Sequence, residues 1–243
     1  SSMDAPKDAE LKVDRGTGYW IPADWSADDS QLIIVQYLSS TKTNSFILDL
    51  GTGKLSPLNN EGKESIFSAQ AWDRSGKNIY VITDEGKEFS TLATYNIESG
   101  KISYITEDIP WDVVDFAVNK ENTQAAFTVN ENGFSRLYLM DLVNNAYKAV
   151  TSLPIGQVSS LKFHPSGDKL GLVLNTTETP GDIYSLDVKT GQAERWTYSE
   201  VGGLNTAMFP TPELIHFKTY DEVDGQPREI PAFLYKPKQA AGK

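Results

Sequence analysis

Four stretches carry the reading: DWSADDSQLIIVQY (24–37), AWDRSGKNIYVITD (71–84), DFAVNKENTQAAFTVN (115–130) and KFHPSGDKLGLVLN (162–175). Each sets an aromatic residue, Trp25, Trp72, Phe116 or Phe163, ahead of a turn rich in Asp, Ser, Gly, Asn or Pro, and these anchors stand 47, 44 and 47 residues apart. After the turn comes a strand-like run: Gln31 to Tyr37, Asn78 to Asp84, Gln124 to Asn130 and Lys169 to Asn175. A third strand with its own turn follows in FILDLGTGK (46–54), ATYNIESGK (93–101), LYLMDLVNN (137–145) and IYSLDVKTG (183–191). Within it Asp49, Asn96, Asp141 and Asp187 recur at spacings of 47, 45 and 46. LSPL, ISYIT, YKAVT and AERWT close the four units. Apolar and polar residues alternating between turns about every ten positions are the mark of strands joined by hairpins.

Four antiparallel strands in about 45 residues is the period of a β-propeller blade. The expected fold is therefore all-β, with four four-stranded blades across residues 20–202. Stacked blades bury both faces of each sheet, which places the four aromatic anchors in contacts between blades. Glu10 to Val13 reads as the outer strand of a preceding blade, while the last unit already owns a fourth strand, AERWT. The blades are thus expected to form an open arc of a larger ring, with a closed four-bladed ring as the alternative. Residues 1–19 then comprise a cloning scar, Ser1-Ser2-Met3, and that outer strand. An open arc leaves apolar sheet faces in water, so self-association through the terminal blades is expected.

Of 243 residues, 22 are Lys or Arg and 33 are Asp or Glu, a formal charge of −11. Nucleic-acid binding is disfavoured, because affinity for phosphate backbones rests on clustered cations. The longest aliphatic run, Leu32 to Val35, falls far short of the roughly 20 residues that cross a bilayer, so no membrane partner is expected. The compartment is left open between cytoplasm and bacterial envelope. There is no cysteine, which excludes disulfide scaffolds, Cys-based zinc sites and thiol nucleophiles.

Few residues are placed for chemistry. His164 sits in a turn where the other units carry Ser26, Asp73 and Ala117, and reads as a turn residue; His216 alternates with Ile215 and Phe217 and reads as a sheet-face histidine. Asp28-Asp29 and Glu107-Asp108 lack the alternating oxygen spacing of a calcium loop and read as solvated turns. The binding candidates are the polar residues on or near the innermost strands: Asp24, Gln70, Asp112, Asp115 and Lys162. Two or three carboxylates converging at a channel mouth would hold a cation; the same groups would equally satisfy backbone groups where strands end. No metal site or cofactor is assigned.

After Gly202-Gly203 the period breaks, and residues 203–243 hold two strand-like runs, Glu213 to Tyr220 and Glu229 to Tyr235, with Asp224-Gly225 at the turn. Alone this is a hairpin with an apolar side formed by Leu214, Ile230 and Phe233. The stretch Ile230-Pro231-Ala232-Phe233-Leu234-Tyr235-Lys236-Pro237 resembles the "IPA-x-LY-x-P" strand that opens the α/β-hydrolase sheet in the prolyl oligopeptidase family of serine peptidases, particularly its dipeptidyl peptidase and acylaminoacyl peptidase branches. The turns SADDSQ (26–31) and HPSGDK (164–169) are similar to the "SPDGK" turns of that family's propellers, although such turns also occur in Tol-associated and WD-type propellers. The resemblance implies a propeller that restricts access to the active site, so that short peptides enter and folded proteins do not. It also implies that the peptide substrates are met by a hydrolase domain of which residues 203–243 are only the linker and opening strands.

No catalytic residue of that family can be carried over. A nucleophile elbow needs G-x-S-x-G, and Gly133-Phe134-Ser135 lacks the closing glycine, having Leu137 there. Three readings follow. The chain is the non-catalytic propeller portion of such a peptidase, or a free-standing protein- or ligand-binding propeller of the Tol-associated type, or a metal-dependent propeller enzyme using axial carboxylates. The first is favoured, because a free-standing propeller has no use for the IPAFLYKP strand. Fluorophosphonate treatment of this chain is accordingly expected to label no serine, and chromogenic aminoacyl or peptidyl substrates should stay intact. Stoichiometric labelling of any serine would overturn this.

Overall fold

One turn recurs four times and sets the first hairpin of every four-stranded sheet. Ser26, Asp73, Asn119 and His164 each accept on their carbonyl the N–H of the residue three further on, at 2.9, 3.1, 2.9 and 2.8 Å. Those donors, Asp29, Gly76, Asn122 and Gly167, all have positive φ, between 52° and 76°. Only glycine, asparagine and aspartate enter that region at low cost, which is why the turns draw on these residues. A second turn closes the third strand in blades 1, 2 and 4: Asp49, Asn96 and Asp187 accept the N–H of Thr52, Ser99 and Thr190 at 2.8, 2.9 and 2.7 Å, together with the hydroxyl of the same residue. The backbone then turns back through Gly53, Gly100 and Gly191. A Cβ added at Gly53 or Gly191 would meet nothing within 4 Å.

The computed structural model describes residues 17–223 and 225–236. The strand expected at Glu10 to Val13, Asp224 of the expected turn and Pro237 lie outside the described residues. Blade 1 consists of β1 (Tyr19–Trp25), β2 (Gln31–Ser39), β3 (Lys42–Asp49) and β4 (Leu55–Pro57). Blade 2 holds β5 (Phe67–Trp72), β6 (Asn78–Thr83), β7 (Thr91–Asn96) and β8 (Ile102–Tyr104). In blade 3 are β9 (Val113–Val118), β10 (Gln124–Glu131), β11 (Phe134–Asp141) and β12 (Ala146–Ala149). Blade 4 is built from β13 (Gln157–Phe163), β14 (Lys169–Asn175), β15 (Asp182–Asp187) and β16 (Ala193–Arg195). Every blade is an antiparallel meander in chain order, and a separate hairpin, β17 (Glu213–Val223) with β18 (Gln226–Leu234), follows a short 3-10 turn at Thr206–Met208. Among the described residues no helix is long and apolar enough to cross a membrane.

The chain divides into two compact units, Ser1–Pro110 and Trp111–Lys243. In the first, Ile33 and Ile47 of blade 1 pack on Phe67, Ala69, Trp72, Ile79, Val81 and Ala93 of blade 2. Polar groups join the same pair of blades: Ser45 donates its hydroxyl to the Phe67 carbonyl at 2.8 Å and accepts the Ala69 N–H at 2.9 Å. In the second unit, Ala126, Leu137 and Leu139 of blade 3 face Val158, Phe163, Leu170, Leu172 and Leu174 of blade 4. Blade 3 also carries a cross-strand aromatic row, with Phe127 stacked on Tyr138 at 4.9 Å between ring centroids and Tyr147 edge-on to both.

Three expectations are corrected. The residue before the repeated turn is Trp25, Trp72, Val118 and Phe163, so the equivalent of His164 in blade 3 is Asn119, not Ala117, and Phe116 lies two residues early. Side chains alternate with period two along a strand, so a two-residue offset keeps Phe116 on the inward face, where it is buried. Trp25 is not core: it is 53% exposed, against 6% for Trp72. Blade 2 packs on only one face of blade 1 within the first unit, and Tyr19, Ile21 and Trp25 of β1 lie largely open. Finally, the hairpin register pairs Leu214 with Phe233 and Phe217 with Ile230. Alternation therefore separates Ile230 from the face that holds Leu214 and Phe233.

Trp72→Ala is expected to cost about 3–5 kcal/mol, as for a buried aromatic. Trp25→Ala should cost far less despite its matching place in the repeat, and His164→Ala should stay within about 0.5 kcal/mol. Chemical denaturation ranks the three.

Candidate functional site

The innermost strand of every blade carries a β-bulge. Register slips between Pro22 and Asp24 in β1, between Ala69 and Ala71 in β5, opposite Thr128 and Val129 in β9, and between Ser159 and Lys162 in β13. A bulge breaks the alternation of side chains and leaves a backbone N–H without its ladder partner. The candidate residues Asp24, Gln70, Asp115 and Lys162 all lie in or beside these irregularities.

Two of them reach the next blade. Asp24 accepts the N–H of its neighbour Trp25 at 3.0 Å on one carboxylate oxygen and the N–H of Trp72, in β5 of blade 2, at 3.0 Å on the other. Asp115 accepts the N–H of Phe116 at 2.9 Å and, on its second oxygen, the bulged N–H of Leu161 in β13 of blade 4 at 3.5 Å. Burial pushes both carboxyls above the ordinary aspartate range, and the backbone N–H groups offset only part of that rise. Gln70 instead turns back on its own strand and donates to the carbonyl and hydroxyl oxygens of Ser68 at 3.0 and 2.8 Å. Asp112 and Lys162 are exposed, and the Asp112 carbonyl accepts the N–H of Asn130 at 2.8 Å. The structure thus joins Asp24 to blade 2 and Asp115 to blade 4. Among the described residues no group of three or more His, Asp or Glu side chains is placed to hold a metal ion.

The other acidic positions serve turns. Asp28 accepts the hydroxyls of Ser26 and Ser30, each at 2.7 Å, and these bonds lower its pKa to about 2. Glu107 pairs with Lys87. His164 Nδ1 lies 2.6 Å from the Ser166 hydroxyl, and His216 is exposed on β17 opposite Pro231.

Asp182 was missed by the sequence reading. Its carboxylate is fully buried at the start of β15 and accepts bonds from Arg195 Nη2 at 2.6 Å, the Thr197 hydroxyl at 3.0 Å and the Ser199 N–H at 2.8 Å. Burial pushes this carboxyl upward, but the combined bonds from Ser199, Thr197 and Arg195 outweigh it and hold the pKa below the usual range. The available signal was the polar string Arg195-x-Thr197-x-Ser199, which has no apolar periodicity and needs an anion to gather it. A cavity of about 380 Å³ lies in the same unit between the start of β11, the 150–155 connection and Leu214 of the hairpin.

Residues 18–199 match the sequence profile of the prolyl oligopeptidase N-terminal beta-propeller domain. The chain belongs to that family. Solved structures agree on the fold of this prolyl oligopeptidase propeller. A puromycin hydrolase aligns with a TM-score of 0.72 at 18% identity, over 91% of this chain and 34% of its own. Prolyl oligopeptidase B from Galerina marginata gives 0.72 at 17%, over 93% and 32%. TolB from Acinetobacter baumannii gives 0.58 at 15%, over 90% and 52%. The chain spans about a third of the length of the puromycin hydrolase and of prolyl oligopeptidase B. No curated protein sequence matches it.

The two classes of buried aspartate should leave opposite signatures in a pH series. Asp182 has a folded pKa below its unfolded value of about 3.9, so its stabilisation is complete above that pH and is lost as acid carries it through the folded pKa. Asp182→Asn should therefore lower the melting temperature most at neutral pH, with the deficit shrinking on acidification. Asp24 has a raised folded pKa, so wild-type stability falls as pH rises from about 4 through that value. Asp24→Asn should accordingly gain on wild type as the pH goes up.

Proposed function

We propose that this chain is the access-restricting, non-catalytic propeller portion of a prolyl-oligopeptidase-like serine peptidase that cleaves short peptides. Residues 203–243 would be the linker and opening strands of its hydrolase domain. The observation that carries the reading is the hairpin. β17 and β18 form a sheet of their own outside the four blades, paired among the described residues with each other, and β18 holds Ile230 to Leu234 of the IPAFLYKP strand. The family match over residues 18–199 supports the propeller half of the proposal. The Galerina marginata relative is bound to a 25mer substrate, which supports peptides as the substrate class. The sequence holds no G-x-S-x-G, so the nucleophile would come from the hydrolase domain.

A second reading, a binding propeller without an enzyme, draws on the likeness to TolB. It leaves the separate hairpin without a purpose.

The gene sequence beyond Lys243 tests the first part: it should encode G-x-S-x-G followed by Asp and His. The enzyme carrying both parts should then cleave a short chromogenic peptide and spare a folded protein containing the same cleavage sequence. Excising residues 18–199 should remove that discrimination. Equal rates on both substrates with the blades in place would overturn the access role.

A further inference from the structure

The hairpin follows blade 4 in the chain, yet it rests on blade 3. The ring of Phe233 lies 4.5 Å from that of Phe134 between centroids, inclined at 48°. The other half of its seat is Gly133, where an added Cβ would come within 2.8 Å of Phe233 Cε2 and 2.9 Å of Cζ, closer than carbon atoms pack. Gly133 also has φ +84°, next to Asn132 at +54°, in the tight turn between β10 and β11. A side chain is thus excluded twice, by backbone conformation and by the ring that fills its place. The seat is braced from blade 4. Gln157 donates its amide to the Gly133 carbonyl, its oxygen stands 3.3 Å from the Ser135 hydroxyl, and the Ser135 N–H donates to the Gly156 carbonyl at 2.9 Å.

Elsewhere the hairpin is thinly attached. Leu214, the register partner of Phe233, lines the cavity of about 380 Å³ with Leu137, Val150, Leu153 and Ile155. Phe217 and Ile230 on the opposite face are 57% and 50% exposed. Tyr220, farther out, is wholly exposed. The segment that leads in passes through Gly202 and Gly203, both with positive φ, and a single 3-10 turn. A two-stranded hairpin is marginal by itself in water, so among the described residues its order draws on what it is docked on. An aromatic ring on glycine can lift away without leaving any buried polar group unpaired.

We propose that Phe233 on Gly133 and Phe134 is a latch. This one apolar contact holds β17–β18 as a strap across the cavity of blade 3, and its release opens strap and cavity while the four-stranded sheets stay folded. The idea stands apart from the peptidase reading, since it concerns only contacts within this chain. Hydrogen–deuterium exchange on the 243-residue chain, followed by mass spectrometry, tests it. In Phe233→Ala, peptides covering residues 213–218, 229–234 and 150–155 should exchange about tenfold faster than in wild type, with β10 and β14 unchanged, as for a local opening. Phe217→Ala, an equal truncation on the opposite face, should leave exchange as it was. If Phe233→Ala behaves like Phe217→Ala, the latch is wrong. If Phe233→Ala speeds exchange in β10 and β14 as well, the hairpin is part of the blade core, and the latch is equally wrong.

Discussion

A sheet packed face to face on its neighbour has to satisfy its backbone within that contact, and the innermost strands are where the requirement bites. Their bulges release N–H groups that no strand of their own blade can take up. Asp24 and Asp115 answer by accepting an N–H from the innermost strand of the following blade while holding one of their own. Ser45 and Thr43 do the same from the third strand of blade 1, bonding the Phe67 carbonyl and the N–H groups of Ala69 and Phe67. Blades are therefore registered against one another by directional bonds, and the aliphatic packing of Ile33, Ile79, Leu170 and Leu172 fills in around that register. The cost is a pair of carboxyls held partly out of water, which their raised pKa values record.

Much of this was legible because turn chemistry is local. Asp49, Asn96 and Asp187 cap their turns with residues three positions away, and the positive-φ sites fall on Asp29, Gly76, Asn122 and Gly167, the residue types that tolerate them. Strand boundaries followed from the turns. What stayed hidden depends on partners distant in the chain. The Trp72 N–H taken by Asp24 lies 48 residues away, so the polar candidates could be placed on inner strands but not matched to their bonds. Phe116 was mistaken for the anchor of blade 3 because period two makes a two-residue slip invisible to hydrophobic patterning. Trp25 was expected in the core because a repeat position says what a residue is equivalent to, not whether a neighbour covers it.

The blades also differ in how much of each is inside. In β6 and β10 consecutive residues are buried. In β14 and β15 burial alternates, with Ile183 half-exposed beside the buried Tyr184 and Leu186. Trp196 and Tyr198 lie open just beyond β16, the first bonded to the Ser185 hydroxyl and the second stacked under Arg195. Blade 4 thus combines an apolar face toward blade 3 with a mixed one away from it, and Asp182 with its Arg195, Thr197 and Ser199 partners fastens its outer edge by polar bonds instead of packing.

The turns at Gly53 and Gly191 have a practical side. Each is closed by the strand residue before it, Asp49 or Asp187, and faces empty space. The glycine N–H bonds back to the carbonyl of that aspartate, whose own N–H bonds forward to the residue after the glycine, and a side chain at the glycine itself would touch nothing. The Gly191 carbonyl also accepts the Ser152 hydroxyl at 2.6 Å, which leaves the Gly53 corner as the place where an affinity tag or a grafted recognition peptide disturbs least of the sheet beneath it.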